Sequence, residues 1–277
     1  MTAVLLATTC AVVYGTADFF GGLATRRSRV LAVVLLTQLT GLVFVLPLTP
    51  LLPGVITPAA LAWGMAAGLA GGAGVILFYR ALADGVMSVV APTTATTSAA
   101  LPVVSGLLMG ERPEPLALGG VALALLAVIL VSRTPGTVGK VRLRPVLQAL
   151  ASGIGFGAFF VLLKQVPADA GVWPLFGSRL MSVLLVVVLA LATHRTLRPG
   201  KGSLPVIVAA GILDMAANVL FLLAAQRGML VLVSVLASLY PASTLLLARY
   251  VLGERLNPVQ ATGVALALGA VTLIAGA

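Results

Sequence analysis

Residues 110–128 read GERPEPLALGGVALALLAV, and residues 253–271 read GERLNPVQATGVALALGAV. The two stretches align without a gap at an offset of 143 residues. The same offset pairs further identical residues upstream: Gly68 with Gly211, Phe78 with Phe221, Ala81 with Ala224, and Gly85 with Gly228. Self-similarity at one fixed spacing indicates a tandem duplication. The chain is therefore predicted to contain two copies of a unit about half its length.

The composition indicates the environment in which the two copies fold. Of the 277 residues, 60% are hydrophobic and 9% are charged, and the mean hydropathy is +1.17. A soluble domain carries about 25% charged residues, so this chain cannot cover a water-facing surface. It is predicted to be an all-α integral membrane protein. The first apolar run has no basic segment before it and no cleavage site after it, which favours a retained span over a removed signal.

The apolar runs can be counted because a spanning helix needs about 20 mostly apolar residues. Ten such runs fall at approximately 3–23, 30–48, 59–79, 86–108, 115–132, 146–163, 172–193, 205–225, 229–251 and 257–276. Five belong to each copy, which predicts repeats over 1–133 and 146–277 joined by a loop over 134–145. Because five is odd, the second copy enters the membrane from the opposite side. Ten transmembrane helices in two inverted five-helix repeats are typical of secondary transporters.

The formal net charge is +10, and the basic residues lie in short loops between the apolar runs. In such loops they orient a membrane protein and attract anionic headgroups, so the expected partners are membrane lipids and not nucleic acid. One predicted face, the charge-rich face, holds thirteen: Arg26, Arg27, Arg29, Arg80, Arg133, Lys140, Arg142, Arg144, Arg195, Arg198, Lys201, Arg249 and Arg255. The opposite, charge-poor face holds three: Arg112, Lys164 and Arg227. The positive-inside rule predicts a cytoplasmic charge-rich face and both termini outside.

Several classes of chemistry have no signature in this sequence. The single Cys10 rules out an intramolecular disulfide, and with the single His194 it forms no metal-binding cluster. The motifs H-E-x-x-H, G-x-S-x-G and G-x-x-x-x-G-K-[ST] are absent. We therefore expect no enzyme activity, no cofactor and no metal, and we expect any transport to be driven by an ion gradient or by the substrate's own gradient.

Ionisable side chains at membrane depth need an explanation, since each costs at least about 2.5–3.5 kcal/mol at a helix centre. Asp214 lies near the middle of the eighth run, and Asn218 follows four residues later on the same helical face. Two explanations stay open here: a role in transport, or a polar contact to a neighbouring helix. Asp214 is the first choice for a carboxylate that exchanges protons or binds a substrate ammonium group.

Three other residues extend this set of candidates. Asp18 lies in the last third of the first run, with Tyr14 four residues before it on the same face. Asp18 is interpreted either as a proton or substrate site or as the partner of Arg26 in an interfacial ion pair. Arg179 lies about two turns into the seventh run. Its guanidinium is suited either to a substrate carboxylate or to the neutralisation of Asp214 or Asp18.

Uncharged polar residues mark three more runs. Gln38 is central in the second run. The fourth and ninth runs carry dense hydroxyls: Thr93, Thr94, Thr96, Thr97 and Ser98, then Ser234, Ser238, Tyr240 and Ser243. The offset aligns Thr97 with Tyr240, and we take both as candidate cavity residues. The alternative is that the hydroxyls bond back to their own helices. Prolines in these runs, including Pro241, are expected to kink the helices and free carbonyl groups toward a cavity.

The duplicated turns and the glycine-rich runs are interpreted structurally. Glu111–Arg112 and Glu254–Arg255 lie where one helix ends and the next begins, and they are predicted to be hinges and boundary ion pairs. Lys164, at a helix end, is predicted to snorkel to the membrane surface. Glycines spaced by four predict close helix packing at Gly64, Gly68, Gly72, Gly153 and Gly157.

The duplicated GER-x-x-P followed by G-x-A-L-A-L resembles the EamA-type members of the drug/metabolite transporter superfamily. The resemblance covers essentially the whole chain. It implies a ten-helix basket in which the first four helices of each half surround a central cavity, with the fifth and tenth helices at the periphery. It also implies that both termini lie in the cytoplasm, which is opposite to the orientation that the charges predict.

The function expected from repeat and resemblance together is export of amino acids or related small metabolites across a bacterial cell membrane. Export would proceed by alternating access, either as proton antiport or as facilitated flux. The protein is expected to work as a monomer. A multidrug exporter of cationic amphipaths is one alternative, although aromatic residues make up only 5% of the chain. A lipid scramblase or flippase is another.

Overall fold

The computed structural model describes residues 1–84, 87–132, 143–193, 197–253 and 256–277. Within these ranges the chain is helical and contains no strand. The helices are α1 (Thr2–Thr25), α2 (Val30–Val45), α3 (Pro58–Asp84), α4 (Met87–Leu108), α5 (Pro115–Val131), α6 (Leu143–Lys164), α7 (Trp173–Ala192), α8 (Leu204–Arg227), α9 (Leu230–Ala237), α10 (Tyr240–Leu252) and α11 (Pro258–Gly276). Two short 3-10 turns, Leu46–Leu48 and Ala168–Ala170, lie in connections.

The helices have the length and composition of membrane spans. Among the described residues, eight stretches are long and apolar enough to cross a membrane, and α5 is a shorter apolar helix of 17 residues. Large apolar side chains such as Leu5, Val43 and Leu268 lie exposed on the outside of the bundle. Lipid covers such a surface, so the fold is that of a multi-pass integral membrane protein.

The predicted ninth run, 229–251, is divided into two helices. Helix α9 ends at Ala237 and α10 begins at Tyr240, within one apolar stretch from Leu230 to Leu252. Pro241 lies in the first turn of α10, where its missing N–H costs nothing, whereas a continuous helix would need that N–H and would clash with the ring. Pro241 is expected from the sequence to kink the helix, and the structure shows a complete break there instead.

Helices of the two halves pack mainly on each other. The most extensive pairs are α1 with α8, α3 with α6, and α5 with α11. Helix α7 packs on α3 while α2 packs on α8, and α4 packs on α6 while α1 packs on both α9 and α10. These contacts bury a single large apolar core that runs through both halves.

Glycine rows form the closest of these interfaces, as the spacing predicts. A Cβ added to Gly68 of α3 would lie 2.2 Å from the carbonyl oxygen of Ser178 in α7. A Cβ added to Gly211 of α8 would lie 2.6 Å from the carbonyl oxygen of Thr37 in α2. Gly68 and Gly211 are an aligned pair of the duplication, so the same position makes the same kind of close contact in each half.

One end of the bundle is closed by interhelical contacts. The Val55 N–H donates to the carbonyl oxygen of Asp169 at 2.8 Å. Lys164 Nζ donates to the carbonyl oxygens of Ala225 (2.6 Å) and Gly228 (2.8 Å). Lys164 therefore satisfies the end of α8, because these carbonyls have no intrahelical donors, and its snorkelling to the membrane surface stays a prediction. This end carries the loops of the charge-poor face.

Both termini lie at this charge-poor end. Ala3 packs beside Gly228, since a Cβ there would lie 2.7 Å from the Ala3 Cβ. Helices α5 and α11 run antiparallel, with Gly120 near the start of α5 against Ile274 near the end of α11. At the other end the Gly200 N–H donates to Ser28 Oγ at 2.8 Å, which joins two loops of the charge-rich face.

Three features of the sequence analysis lie wholly or largely outside the described residues. His194 and the pair Glu254–Arg255 are among them. Most of the predicted loop 134–145 is also outside, although its last three residues already belong to α6. The repeat boundaries that depend on this loop stay a prediction.

Candidate functional site

Arg179 is the centre of a polar cluster at mid-depth in the bundle. It projects from α7 and is only 6% exposed. Its Nη1 donates to Oε1 of Gln38 on α2, and its Nη2 forms an ion pair with Oδ2 of Asp214 on α8. Gly41 makes room for the guanidinium, since a Cβ there would lie 3.2 Å from Arg179 Nε. The ion pair with Asp214 fits one of the two roles left open for Arg179, and the binding of a substrate carboxylate stays a prediction.

Asp214 continues the cluster toward α1. Asn218, 3% exposed, donates from Nδ2 to the carbonyl oxygen of Asp214 at 2.7 Å. The Tyr14 hydroxyl donates to Oδ1 of Asn218 at 2.8 Å. The chain of contacts from Gln38 through Arg179 to Tyr14 therefore joins α1, α2, α7 and α8. In a medium of low dielectric constant such a network favours one relative arrangement of these helices.

Aromatic rings line one side of the cluster. The Tyr14 ring lies edge-on to Phe160 of α6, with centroids 6.4 Å apart, and 6.3 Å from the Tyr240 ring. Phe160 in turn contacts Phe221, with centroids 4.4 Å apart. Tyr240 is the first residue of α10, so the break between α9 and α10 lies at the level of the cluster.

Asp18 lies one turn from Tyr14 toward the charge-rich end. It is exposed and has no hydrogen bond or ion pair with any residue in the described ranges. Asp18 and Tyr14 share one face of α1, and the Tyr14 ring lies beside the Tyr240 ring. Arg179 and Asp214 form an ion pair with each other, so Asp18 is the carboxyl group of α1 and α8 that has no cationic partner in the described chain.

Thr97 is the candidate that does not join the cluster. Its hydroxyl donates to the carbonyl oxygen of Thr93 in its own helix at 2.8 Å, and its Cβ packs against Gly153 of α6. Thr94 donates across to the carbonyl oxygen of Ala149 at 3.1 Å. The hydroxyls of α4 thus behave as the alternative interpretation expects, with bonds to their own or a neighbouring backbone.

Sequence reasoning missed two residues that complete the site. Phe160 supplies the ring between Tyr14 and Phe221. Because it is an apolar residue in an apolar run, the sequence does not indicate that it lies at the candidate site. Cys10 donates from Sγ to the carbonyl oxygen of Ala217 at 3.2 Å and helps to hold α1 on α8. Its position one turn before Tyr14 was the only available signal.

A helical membrane bundle with an ionisable cluster at mid-depth has the construction of a membrane transporter. The family model of the EamA-like transporter family matches residues 1–133 and again residues 143–276. The chain belongs to this family, and the resemblance to EamA-type transporters predicted from the duplicated turn is confirmed.

Solved structures share the fold. One crystal structure, described only as "Crystal structure of protein", matches with a TM-score of 0.78 and 20% sequence identity over 99% of this chain and 98% of that chain. At this identity the likeness shows the fold alone. No curated protein matches the sequence.

Proposed function

We propose that the protein is a secondary transporter that exports amino acids or related small metabolites by alternating access, in the plasma membrane of a bacterium. The observation that carries this proposal is the cluster of Gln38, Arg179, Asp214, Asn218 and Tyr14. It joins helices of both halves beside a broken helix. A broken helix and polar groups at the interface of two repeats form the substrate site in many transporters.

The packing of the helices supports two inverted repeats. An exchange of α1 with α6, α2 with α7, α3 with α8, α4 with the pair α9 and α10, and α5 with α11 maps one half onto the other. Under this exchange, the pair α1 and α8 becomes α6 and α3, and the pair α2 and α8 becomes α7 and α3. Each of these pairs is in contact. With repeats of five spans each, near-equivalent rearrangements can open the site to either side.

Burial along the broken span supports an arrangement that is open to the charge-rich face. Seven of the eight residues of α9 are buried, whereas none of the residues of α10 is buried. Helix α10 leads from the site to the charge-rich end, where Asp18 is also exposed. If the positive-inside rule holds, this is the arrangement that takes up substrate from the cytoplasm, with both termini outside.

Asp18 is our choice for the group that binds the substrate's ammonium group or a proton. An unpaired carboxylate at membrane depth is costly, and a cation or a proton removes that cost. Asp214 then serves as the partner of Arg179, and a substrate carboxylate that reaches Arg179 would compete with this ion pair. Proton antiport follows if Asp18 binds the proton and the substrate in turn.

A second candidate, export of cationic amphipaths, is favoured by the aromatic side of the site. Tyr14 contacts the rings of Phe160 and Tyr240, with Asp18 one turn away on the same face of α1, and aromatic rings also attract cations. Such a transporter would prefer aromatic cations to small amino acids.

Counterflow in proteoliposomes tests both candidates. Proteoliposomes that contain the purified protein are loaded with a mixture of unlabelled amino acids. Uptake of each labelled amino acid is then followed with and without a pH gradient. We expect uptake that Asp18→Asn abolishes and that Asp169→Asn, an exposed control at the charge-poor end, leaves intact. Equal uptake by Asp18→Asn and the parent would contradict the role of Asp18. Flux of a cationic dye in place of amino acids would favour the second candidate.

A further inference from the structure

Glu111 of the duplicated turn binds the first turn of a helix in the other half. Its Oε1 accepts a hydrogen bond from the Leu230 N–H at 2.6 Å, and its Oε2 accepts one from the Val231 N–H at 2.8 Å. These are the first two N–H groups of α9, which have no partner within the helix. A carboxylate at this position also interacts favourably with the positive end of the helix dipole. Glu111 is therefore not the boundary ion pair that the sequence predicts.

Two glycines, Gly106 in the last turn of α4 and Gly110 in the turn that follows, make this contact possible. Gly110 has φ +90, a left-handed conformation in which other residues are strained, and it directs the chain back along α4. The Glu111 N–H then donates to the carbonyl oxygen of Gly106 at 3.0 Å. A Cβ on Gly106 would lie 2.7 Å from Glu111 Oε2 and 2.7 Å from Val231 Cγ2. Any larger residue at 106 would push α9 away from the carboxylate.

The helix that Glu111 holds leads directly to the candidate site. Helix α9 has 8 residues and ends three residues before Tyr240, whose ring lies beside Tyr14. The connection before α9 is held as well, since Lys164 Nζ donates to the carbonyl oxygen of Gly228. A cationic side chain at the end of α6 and an anionic side chain from the turn after α4 thus fix the start of α9, whereas no residue of α10 is buried.

We propose that Glu111 is a positioning residue that keeps the charge-poor side of the transporter closed by holding the N-terminus of α9. The proposal rests on the proposed alternating access. When these two hydrogen bonds are absent, α9 can separate from the end of α4, and the site becomes accessible from the charge-poor face. The duplicated turn then has a mechanical role in transport and does more than connect two helices.

Thiol accessibility tests this role without any knowledge of the substrate. The sole native cysteine is replaced by Cys10→Ser, and a reporter, Ala237→Cys, is placed at the fully buried end of α9. A second reporter, Ala81→Cys, occupies another fully buried position on α3, at the charge-rich end. Modification by a membrane-impermeant maleimide added at the charge-poor face is timed for the parent, for Glu111→Gln and for Glu114→Gln. Glu114 is an exposed carboxylate of the same turn and has no side-chain cap bond to α5.

We expect Glu111→Gln to raise the rate of maleimide modification at Ala237→Cys about tenfold, which is the effect expected from the loss of one helix cap. The modification rate at Ala81→Cys should not change. Glu114→Gln should leave both rates unchanged. Equal rates at Ala237→Cys in Glu111→Gln and the parent would overturn the proposal. A rise at both reporters would also overturn it, because Glu111 would then stabilise the whole fold and not one side. Failure of counterflow alone would leave these rates unaffected, so the two proposals fail separately.

Discussion

Helices α9 and α10 belong to one apolar stretch, yet their surroundings differ. In α9 seven of eight residues are buried, and Glu111 binds its first turn. In α10 no residue is buried, and its tight contacts in the described chain lie along α1 near Gly15. Under the proposed alternating access, the two halves of one span therefore have different roles: α9 closes the charge-poor side, and α10 borders the opening on the charge-rich side. The polar cluster lies at the level of the break between them.

The largest expected effect comes from removing the charge that holds the cluster together. Arg179→Gln leaves the Asp214 carboxylate without its cation at membrane depth. Loss of one partner of a buried ion pair costs about 3–5 kcal/mol, and we expect about 2 kcal/mol here because the Asp214 side chain is 34% exposed. Counterflow should be abolished, and the thermal midpoint of the protein in detergent should fall by several degrees.

A double substitution sharpens this prediction. Arg179→Gln combined with Asp214→Asn removes both charges and should regain part of the lost stability without restoring transport. No difference in stability between the single and double variants would contradict the importance of the ion pair.

The next largest effect should follow from displacing α10. A Cβ on Gly15 would lie 1.9 Å from Ser243 Oγ and 2.4 Å from the carbonyl oxygen of Tyr240. Gly15→Val therefore forces α10 away from α1, at a cost of about 1–3 kcal/mol for overpacking. We expect a lower thermal midpoint and a loss of transport.

Gly21 of the same helix is the matched control for this change. Nothing lies within 4 Å of a Cβ added there, so Gly21→Val should be close to neutral in both measurements. Similar losses in the two variants would mean that α1 does not tolerate valine in general, and that the contact with α10 is not special.

The smallest expected effect concerns the contact at the break itself. Tyr14→Phe keeps the ring beside Tyr240 but removes the hydroxyl that donates to Asn218. A buried acceptor left without its donor costs about 1 kcal/mol. We expect a fewfold weaker apparent substrate affinity in counterflow with near-normal maximal flux. Unchanged affinity would place the Tyr14 hydroxyl outside the transport pathway.

The sequence was sufficient for the features that depend on composition and local pattern. Apolar runs of about 20 residues predict membrane spans, and the glycine rows predict the faces at which helices approach most closely. Depth in a run also identified Asp214, Asn218 and Arg179, which the structure brings together. These features follow from the cost of polar groups in lipid, which a sequence displays directly.

The rest depends on how helices rotate and pack against one another. Residues 38 and 179 are 141 positions apart, and nothing local shows that Arg179 bonds to Gln38 and Asp214. The different burial of α9 and α10 is only partly visible in the sequence, where α10 carries Ser243, Thr244 and Arg249 and α9 carries Ser234 alone among polar residues. Glu111 appeared as a boundary residue since its partners are backbone N–H groups, which every helix start provides.

The proposed transport mechanism requires that the site opens to the charge-rich face along α10 and is closed along α9. Two single cysteines in the Cys10→Ser background test it most directly. Ala237→Cys lies in α9, and Ala248→Cys lies in α10, one turn from Thr244, whose hydroxyl bonds to Gly15 of α1. Impermeant maleimide is added to each face of oriented vesicles in turn. We expect rapid modification of Ala248→Cys from the charge-rich face and slow modification of Ala237→Cys from both faces. Modification of Ala237→Cys from the charge-poor face that is faster than modification of Ala248→Cys from the charge-rich face would contradict this mechanism.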